Sequence, residues 1–282
     1  KERFEFMGQL GAFSGLEALA EGPLNEKNDG SFVVAYRHSF TEIADAAGLN
    51  IGTSATPRYK DLTFNVDFGN SKAGKFSLFG IGGHSSIDFL GAEIDTTDLF
   101  ANPNENAYNV SKFGVIGLKY NVLLNDRSYI RTVFSTSYSS NTYTADDLTI
   151  DNGNPFQIWD VSDVTTTYRL SSYYNLKVNN RFTLRTGILA QETQLDTRVD
   201  TRNNTPDLDD DNRPDWFTER DFDGWFHQME AYAQGQYRLT EKLTLNAGLH
   251  TLYFENTEDF AVEPRAAVNW NFAPKHTLSL GY

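Results

Sequence analysis

The feature that most restricts what this chain can become is a two-residue alternation of apolar and polar side chains, renewed again and again along its length. Leu62, Phe64, Val66 and Phe68 alternate with Thr63, Asn65 and Asp67. Tyr168, Leu170, Ser172, Tyr174 and Leu176 alternate with Arg169, Ser171, Tyr173, Asn175 and Lys177. Phe182, Leu184, Thr186, Ile188 and Ala190 oppose Arg181, Thr183, Arg185 and Gln191, and Leu243, Leu245, Ala247 and Leu249 oppose Thr244, Asn246 and His250. Successive side chains of an extended strand point to opposite faces, so each stretch predicts a strand with one apolar and one wet face. About twelve such strands fit the chain, many longer than the ~5–6 residues usual in soluble sheets and long enough for the ~9–11 that cross a bilayer.

The connections carry a second regularity. Compact polar turns, rich in Gly and Asn, stand at 25–30, 70–74, 125–127, 178–180, 240–242 and 273–275. Longer segments that read as irregular and polar lie between them at 39–58, 84–108, 140–162, 194–225 and 255–261. Short and long connections thus alternate, as in an up-and-down transmembrane barrel with short periplasmic turns and long extracellular loops. On the apolar parity, Phe68, Tyr120, Tyr174, Phe182, Tyr237 and Phe272 sit beside the short turns, and Tyr36, Tyr138, Tyr168 and Tyr253 lie toward the long loops. Two belts of rings are expected where aromatic side chains settle at headgroup depth. Aromatic residues favour strands in general, but a soluble sandwich has no reason to sort them by turn length.

Composition agrees where it speaks. The mean hydropathy of −0.48 looks soluble, yet only alternate residues of a barrel strand meet lipid, so hydropathy does not decide. No run of apolar residues is long enough for a membrane helix. The net charge of −14 argues against nucleic acid, whose phosphates demand Lys and Arg. With no cysteine, stability must come from strand hydrogen bonds and not from disulfides.

The stretches AEGPLNEKNDGSFVVAYRHSF (20–40), YKDLTFNVDF (59–68), KAGKFSLFGIGG (72–83) and VEPRAAVNWNFAPKHTLSLGY (262–282) together resemble TonB-dependent outer-membrane receptors of the Bacteroidetes type, the relatives with a carboxypeptidase-regulatory-like domain ahead of the plug. The resemblance runs over most of the chain and is weakest in the long loops. It implies an all-β, transmembrane antiparallel up-and-down β-barrel in the cell outer membrane. The family's barrels have twenty-two strands around a plug, so residues 1–282 are expected to be a barrel segment without the plug, the TonB box and the remaining strands. The rival is a complete, smaller barrel, since Leu278, Leu280 and Tyr282 alternate and finish on an aromatic residue.

The most suggestive constellation for a ligand is Asp207, Asp209, Asp211 and Asp215, whose 1-3-5-9 spacing suits an oxygen cage for Ca²⁺. Asn212 stands where such loops usually carry Gly, and Thr218 occupies position twelve with Glu219 one place late. A solvated acidic loop tip is the other reading. Ca²⁺ would order the loop; no cofactor is required. Asp61, Asp67, Arg131, Arg169, Arg185, Glu230, Glu263 and Arg265 share the wet parity and either line a path or pair with one another, the plug or water. Glu263-Pro264-Arg265 reads as a structural kink, because proline cannot complete a ladder. The five histidines (His38, His84, His227, His250, His276) show no metal-binding spacing, and no nucleophile elbow or phosphate loop is present. Gly80, Gly82 and Gly83 follow a strand but open no helix, which makes them barrel glycines. No enzyme is indicated and no residue is assigned a catalytic role.

The resemblance implies energised import of an oligosaccharide, a peptide or a metal chelate, with ligand contacts in the loop segments 39–58, 84–108 and 194–225. Its partners would be outer-membrane lipid and lipopolysaccharide, a TonB-type energising protein acting through the N-terminal part, and a surface lipoprotein lid. The alternatives are a receptor-like scaffold for a surface lipoprotein, secretion or assembly complex, a passive porin, and a soluble β-sandwich lectin.

Overall fold

The computed structural model describes residues 3–11, 15–25, 29–39, 41, 57–91, 102–202, 205–208 and 213–282. Thirteen strands form one sheet: β1 (Glu5–Gly11), β2 (Gly15–Asn25), β3 (Gly30–His38), β4 (Arg58–Ser71), β5 (Gly74–Leu90), β6 (Glu105–Asn125), β7 (Ser128–Asp151), β8 (Asn154–Lys177), β9 (Phe182–Thr201), β10 (Phe217–Arg238), β11 (Leu243–Phe254), β12 (Asp259–Ala273) and β13 (His276–Gly281). Their spatial order is their chain order and each pairs antiparallel with the next, so the described strands form a meander. The thirteen strands among the described residues agree with the about twelve expected.

The register puts the alternating residues on two separate faces. Row by row, Tyr36, Leu62, Gly82, Gly114 and Tyr138 lie opposite one another, as do Phe134, Leu170 and Ala190. The apolar set stays open: Phe134 is 51%, Leu170 44% and Ile188 59% exposed, and among the described residues only Ala145, Phe156, Ile158 and Val199 are buried hydrophobics. A soluble sandwich would close over such a face. Here lipid is its solvent, and the polar parity lines the inside. The two aromatic belts appear on this outer face, with Phe76 stacked on Tyr120 at 4.6 Å beside the short turns and Tyr168 on Trp225 at 6.4 Å toward the other end.

At the short-turn end the strands are joined at 72–73, 126–127, 178–181, 239–242 and 274–275. Side-chain amides close these turns: Asn125 Oδ1 accepts from the Arg127 N–H at 2.9 Å, and Asn179 Oδ1 from those of Arg181 and Phe182. At the opposite end the expected pattern needs correction. Segment 140–162 is not an irregular loop; β7 and β8, with 24 residues each, continue through it. They meet at Asn152–Gly153, both at positive φ (51° and 92°), the conformation of a tight hairpin turn that suits the right-handed twist of the strands. Segments 84–108, 194–225 and 255–261 likewise begin or end as strand. Beyond the bilayer a strand needs no greasy parity, so Ser-, Thr- and Asn-rich sequence that reads as loop pairs as sheet.

Glu263-Pro264-Arg265 shows no bulge on its β11 side, where Pro264 pairs with Leu249 in an unshifted ladder in place of the kink expected there.

Candidate functional site

The inner face of the outer rim gathers groups that a wet wall alone does not need. At the end of the β7–β8 hairpin, a bulge sets Ala145 opposite Trp159 and Asp146 opposite Gln157, leaving Ile158 as the extra residue. Phe156, Ile158 and Ala145 form a buried cluster there, covered by Ala107, Tyr143, Ile150 and Trp159. The β9–β10 connection folds onto it. The Arg202 N–H donates to the Ile158 carbonyl at 2.9 Å, and its Nε donates to the Gln157 carbonyl. The Arg202 guanidinium lies 4.0 Å from the Phe156 ring and 4.6 Å from that of Trp216. Arg213 stands 5.5 Å from the same Phe156 ring and reaches Asp151 at 3.1 Å. Cations over ring faces are attracted by the quadrupole, the more so when water is excluded. The Tyr143 phenol, raised by burial and by the Glu105 carboxylate beside it, stays neutral.

One row inward, polar and aromatic groups face each other across the strands. Ser111 donates to Asn141 at 2.7 Å, Thr197 donates to Asp163, Arg220 reaches both Thr197 (3.3 Å) and Asp163 (3.9 Å), and Thr167 and Thr193 are 3.2 Å apart. On β10 and β11 the same parity carries Phe222, Phe226 and Phe254. Phe222 and Phe226 stack at 5.8 Å, and Phe226 and Phe254 at 6.1 Å. Gly224 makes room, because a Cβ there would come within 2.5 Å of the Phe222 ring. Asn256 fixes the end of the stack, accepting from the His227 N–H at 3.0 Å and donating to the Trp225 carbonyl at 2.6 Å. The result is an aromatic ladder beside hydroxyl, amide and carboxylate groups on the same inner face.

The charged residues singled out on the wet parity all face inward, and most have partners. Asp61 pairs with Arg37 at 2.7 Å and Asp67 with Lys75 at 2.9 Å. Arg131 donates to Asn121 at 2.6 Å, Arg169 donates to Gln191 at 2.9 Å, and Arg131 and Arg185 flank the Tyr173 ring at 5.7 and 4.9 Å. His250 bridges Glu230 (3.1 Å) and Glu263 (3.0 Å), and Arg265 closes on Glu263 at 2.5 Å. These networks tie adjacent strands together.

The acidic stretch is split. Asp209 and Asp211 lie outside the described residues, as do 42–56 and 92–101 of the expected ligand loops. Asp207 and Asp215 are described; the Asp215 carboxylate accepts from the Leu208 N–H at 2.7 Å, which closes the loop neck. Sequence reasoning missed the inner Phe stack, although its signal is local: Phe222 and Phe226 fall on the parity of Gln228 and Glu230, where an aromatic residue is out of place. The Arg202–Phe156–Trp216 contact has no such signal, since its members are joined only by the fold.

A family model described as "TonB dependent receptor-like, beta-barrel" matches residues 36–282. The chain belongs to this family. No curated protein matches it in sequence. Among solved structures, the TonB-type barrel is similar to the pyoverdine outer membrane receptor FpvA from Pseudomonas aeruginosa PAO1, at 10% identity and a TM-score of 0.69 over 100% of this chain and 46% of that one. The siderophore receptor PirA from Acinetobacter baumannii gives 13% identity and a TM-score of 0.60 over 99% and 41%. A variant of the ferric enterobactin receptor PfeA from Pseudomonas aeruginosa gives 15% and 0.57 over 99% and 42%. At these identities the likeness establishes the fold, and the chain spans less than half the length of the structures it matches. The TonB-dependent receptor barrel is an outer-membrane structure.

Proposed function

We propose that this chain is the barrel wall of a receptor that imports a nutrient across the outer membrane, driven by a TonB-type energising protein. The cargo is an oligosaccharide, a peptide or a metal chelate that presents flat rings beside hydrogen-bonding edges. The observation that carries this reading is the inner rim, where Phe222, Phe226 and Phe254 stack on the same face as the Ser111–Asn141 and Thr197–Asp163 pairs. Stacking is tolerant of ring chemistry, and the polar wall supplies orientation. Solved relatives named for siderophores support a chelate among the three. Binding energy comes from contacts and no bond is broken.

Uptake tests the reading. Cells depending on this protein for a candidate nutrient should lose about tenfold or more in uptake affinity when Phe222 and Phe226 both become Ala, since two ring contacts at roughly 1 kcal/mol each are removed. Phe134→Ala on the lipid face should leave affinity unchanged. Equal uptake by all three proteins would move the cargo site away from this rim.

A further inference from the structure

The inner wall at the short-turn end of β4–β7 carries an excess of positive charge. Lys75 on β5, Asn121 on β6 and Arg131 on β7 lie directly opposite one another in a single row, so Lys75 and Arg131 are about 10 Å apart across two strand spacings. Lys119 stands on the same face two residues along β6, about 7 Å from Asn121. With Lys72 of the adjoining turn, these cations line a hollow of about 550 Å³, to which Asp67 contributes the one carboxylate.

Asp67 is already engaged: it pairs with Lys75 at 2.9 Å and accepts from the Gly69 N–H at 2.9 Å. Among the described residues Lys119 and Arg131 have no ion-pair partner. The Arg131 Nε donates to Asn121 at 2.6 Å and its guanidinium stands 5.7 Å from the Tyr173 ring, two contacts that aim the group and leave its charge unbalanced. Arg185, 4.9 Å from the same ring, continues the positive wall onto β9. Like charges gathered on one sheet face destabilise it, and in a chain of net charge −14 this local excess is not a property of the surface at large. The hollow falls within the ~300–1,000 Å³ of small-molecule sites. Ammonium and guanidinium groups spaced around an amide suit several carboxylates carried on one small molecule.

We propose, resting on the reading that cargo crosses this lumen, that the hollow is a second cargo subsite below the aromatic rim and binds a small molecule bearing two or more carboxylates. Lys119 and Arg131 hold the carboxylates, and Lys72 closes over them from the turn. The cargo is thereby narrowed to the acidic members of the three classes named above.

Citrate is the probe, titrated by calorimetry into the whole receptor purified from outer membranes in a nonionic detergent, with neutral trimethyl citrate as the comparison. Wild type should bind citrate and give no binding heat with the ester, and the affinity should fall as salt is added. Lys119→Gln/Arg131→Gln should weaken citrate about tenfold or more, each charge-assisted contact being worth roughly a tenfold effect. Lys60→Gln/Lys112→Gln, the same loss of charge on the outward face, should leave the affinity unchanged. If the inner double variant loses the heat-resistant mobility of the folded barrel on gels, Lys72→Gln, in a turn outside the ladder, carries the test and should also weaken citrate. A wild type that binds no citrate, the result if an acidic segment of the receptor itself fills the hollow, would overturn the proposal. So would equal binding of citrate and its ester, unchanged affinity in the inner variants, or equal losses in the inner and outward ones. Calorimetry involves no transport, so its outcome is separate from the uptake test on Phe222 and Phe226.

Discussion

At the scale of single residues, the outer rim depends on a few polar groups outside the bilayer. Asp200, near the end of β9, accepts from Arg198 at 2.6 Å and from the Thr218 hydroxyl at 2.6 Å. The Arg198 hydrogen bond, then that of Thr218, hold its carboxyl below the usual carboxylate range. A depressed folded value means that the contribution is present above the ordinary carboxylate pKa and fades as the pH falls through the folded one. The start of β10 is therefore expected to lose amide-exchange protection, taken relative to the intrinsic rate at each pH, as the solution is acidified below that range. Asp200→Asn should show low protection already at neutral pH and little further change. A wild-type protection profile flat from neutral to strongly acidic pH would remove Asp200 from this role.

At the scale of elements, the β7–β8 hairpin owes its form to its turn and its stability to its height in the membrane. Gly153 has a φ of 92°, which a β-branched residue rarely adopts, so Gly153→Val should strain the turn by ~1–3 kcal/mol. The expected outcome is protease cleavage near the tip with the barrel itself still resistant to heat and detergent. Lower on the same strand pair, position decides everything. Leu170 points to lipid and is 44% exposed, while Ser171 beside it belongs to the inner parity. Leu170→Arg should cost about 2–4 kcal/mol of stability if it sits near the midplane, and Ser171→Arg much less, because the inner wall is wet. Equilibrium unfolding from lipid bilayers in urea measures both. Equal penalties would contradict the assignment of faces.

At the scale of the whole molecule, the meander fixes which turns share a side. Asn154, at the tip of the tallest hairpin, and Asp126, in a short turn, are both exposed and at opposite ends of β7. The chain has no cysteine, so Asn154→Cys and Asp126→Cys each introduce one thiol into it. On intact cells a membrane-impermeant thiol reagent should label the first and spare the second. The reverse result would invert the barrel and place the Phe222–Phe226–Phe254 stack at the periplasmic mouth.

Much of this was legible in the chain itself. Alternation such as that of Leu62, Phe64, Val66 and Phe68 determined strand, face and solvent together, because a strand's side-chain period is two and a register slip by one would turn every apolar residue to the wet side. The alternation of short turns with long connections gave the expected orientation of the two ends, and Tyr120, Tyr174, Tyr138 and Tyr168 marked the two belts between them. The height of the β7–β8 hairpin was written locally as well, in Asn152–Gly153, but the surrounding Ser and Thr masked it, since outside lipid the apolar parity lapses. What only the tertiary structure decided is which distant residues come together: Arg202 with Phe156 and Trp216, His250 between Glu230 and Glu263, and Lys75 in one row with Asn121 and Arg131. Strand pairing brings these together from separate parts of the sequence, and the exact register that does so is set by the summed ladder of hydrogen bonds and not by any one stretch of the chain.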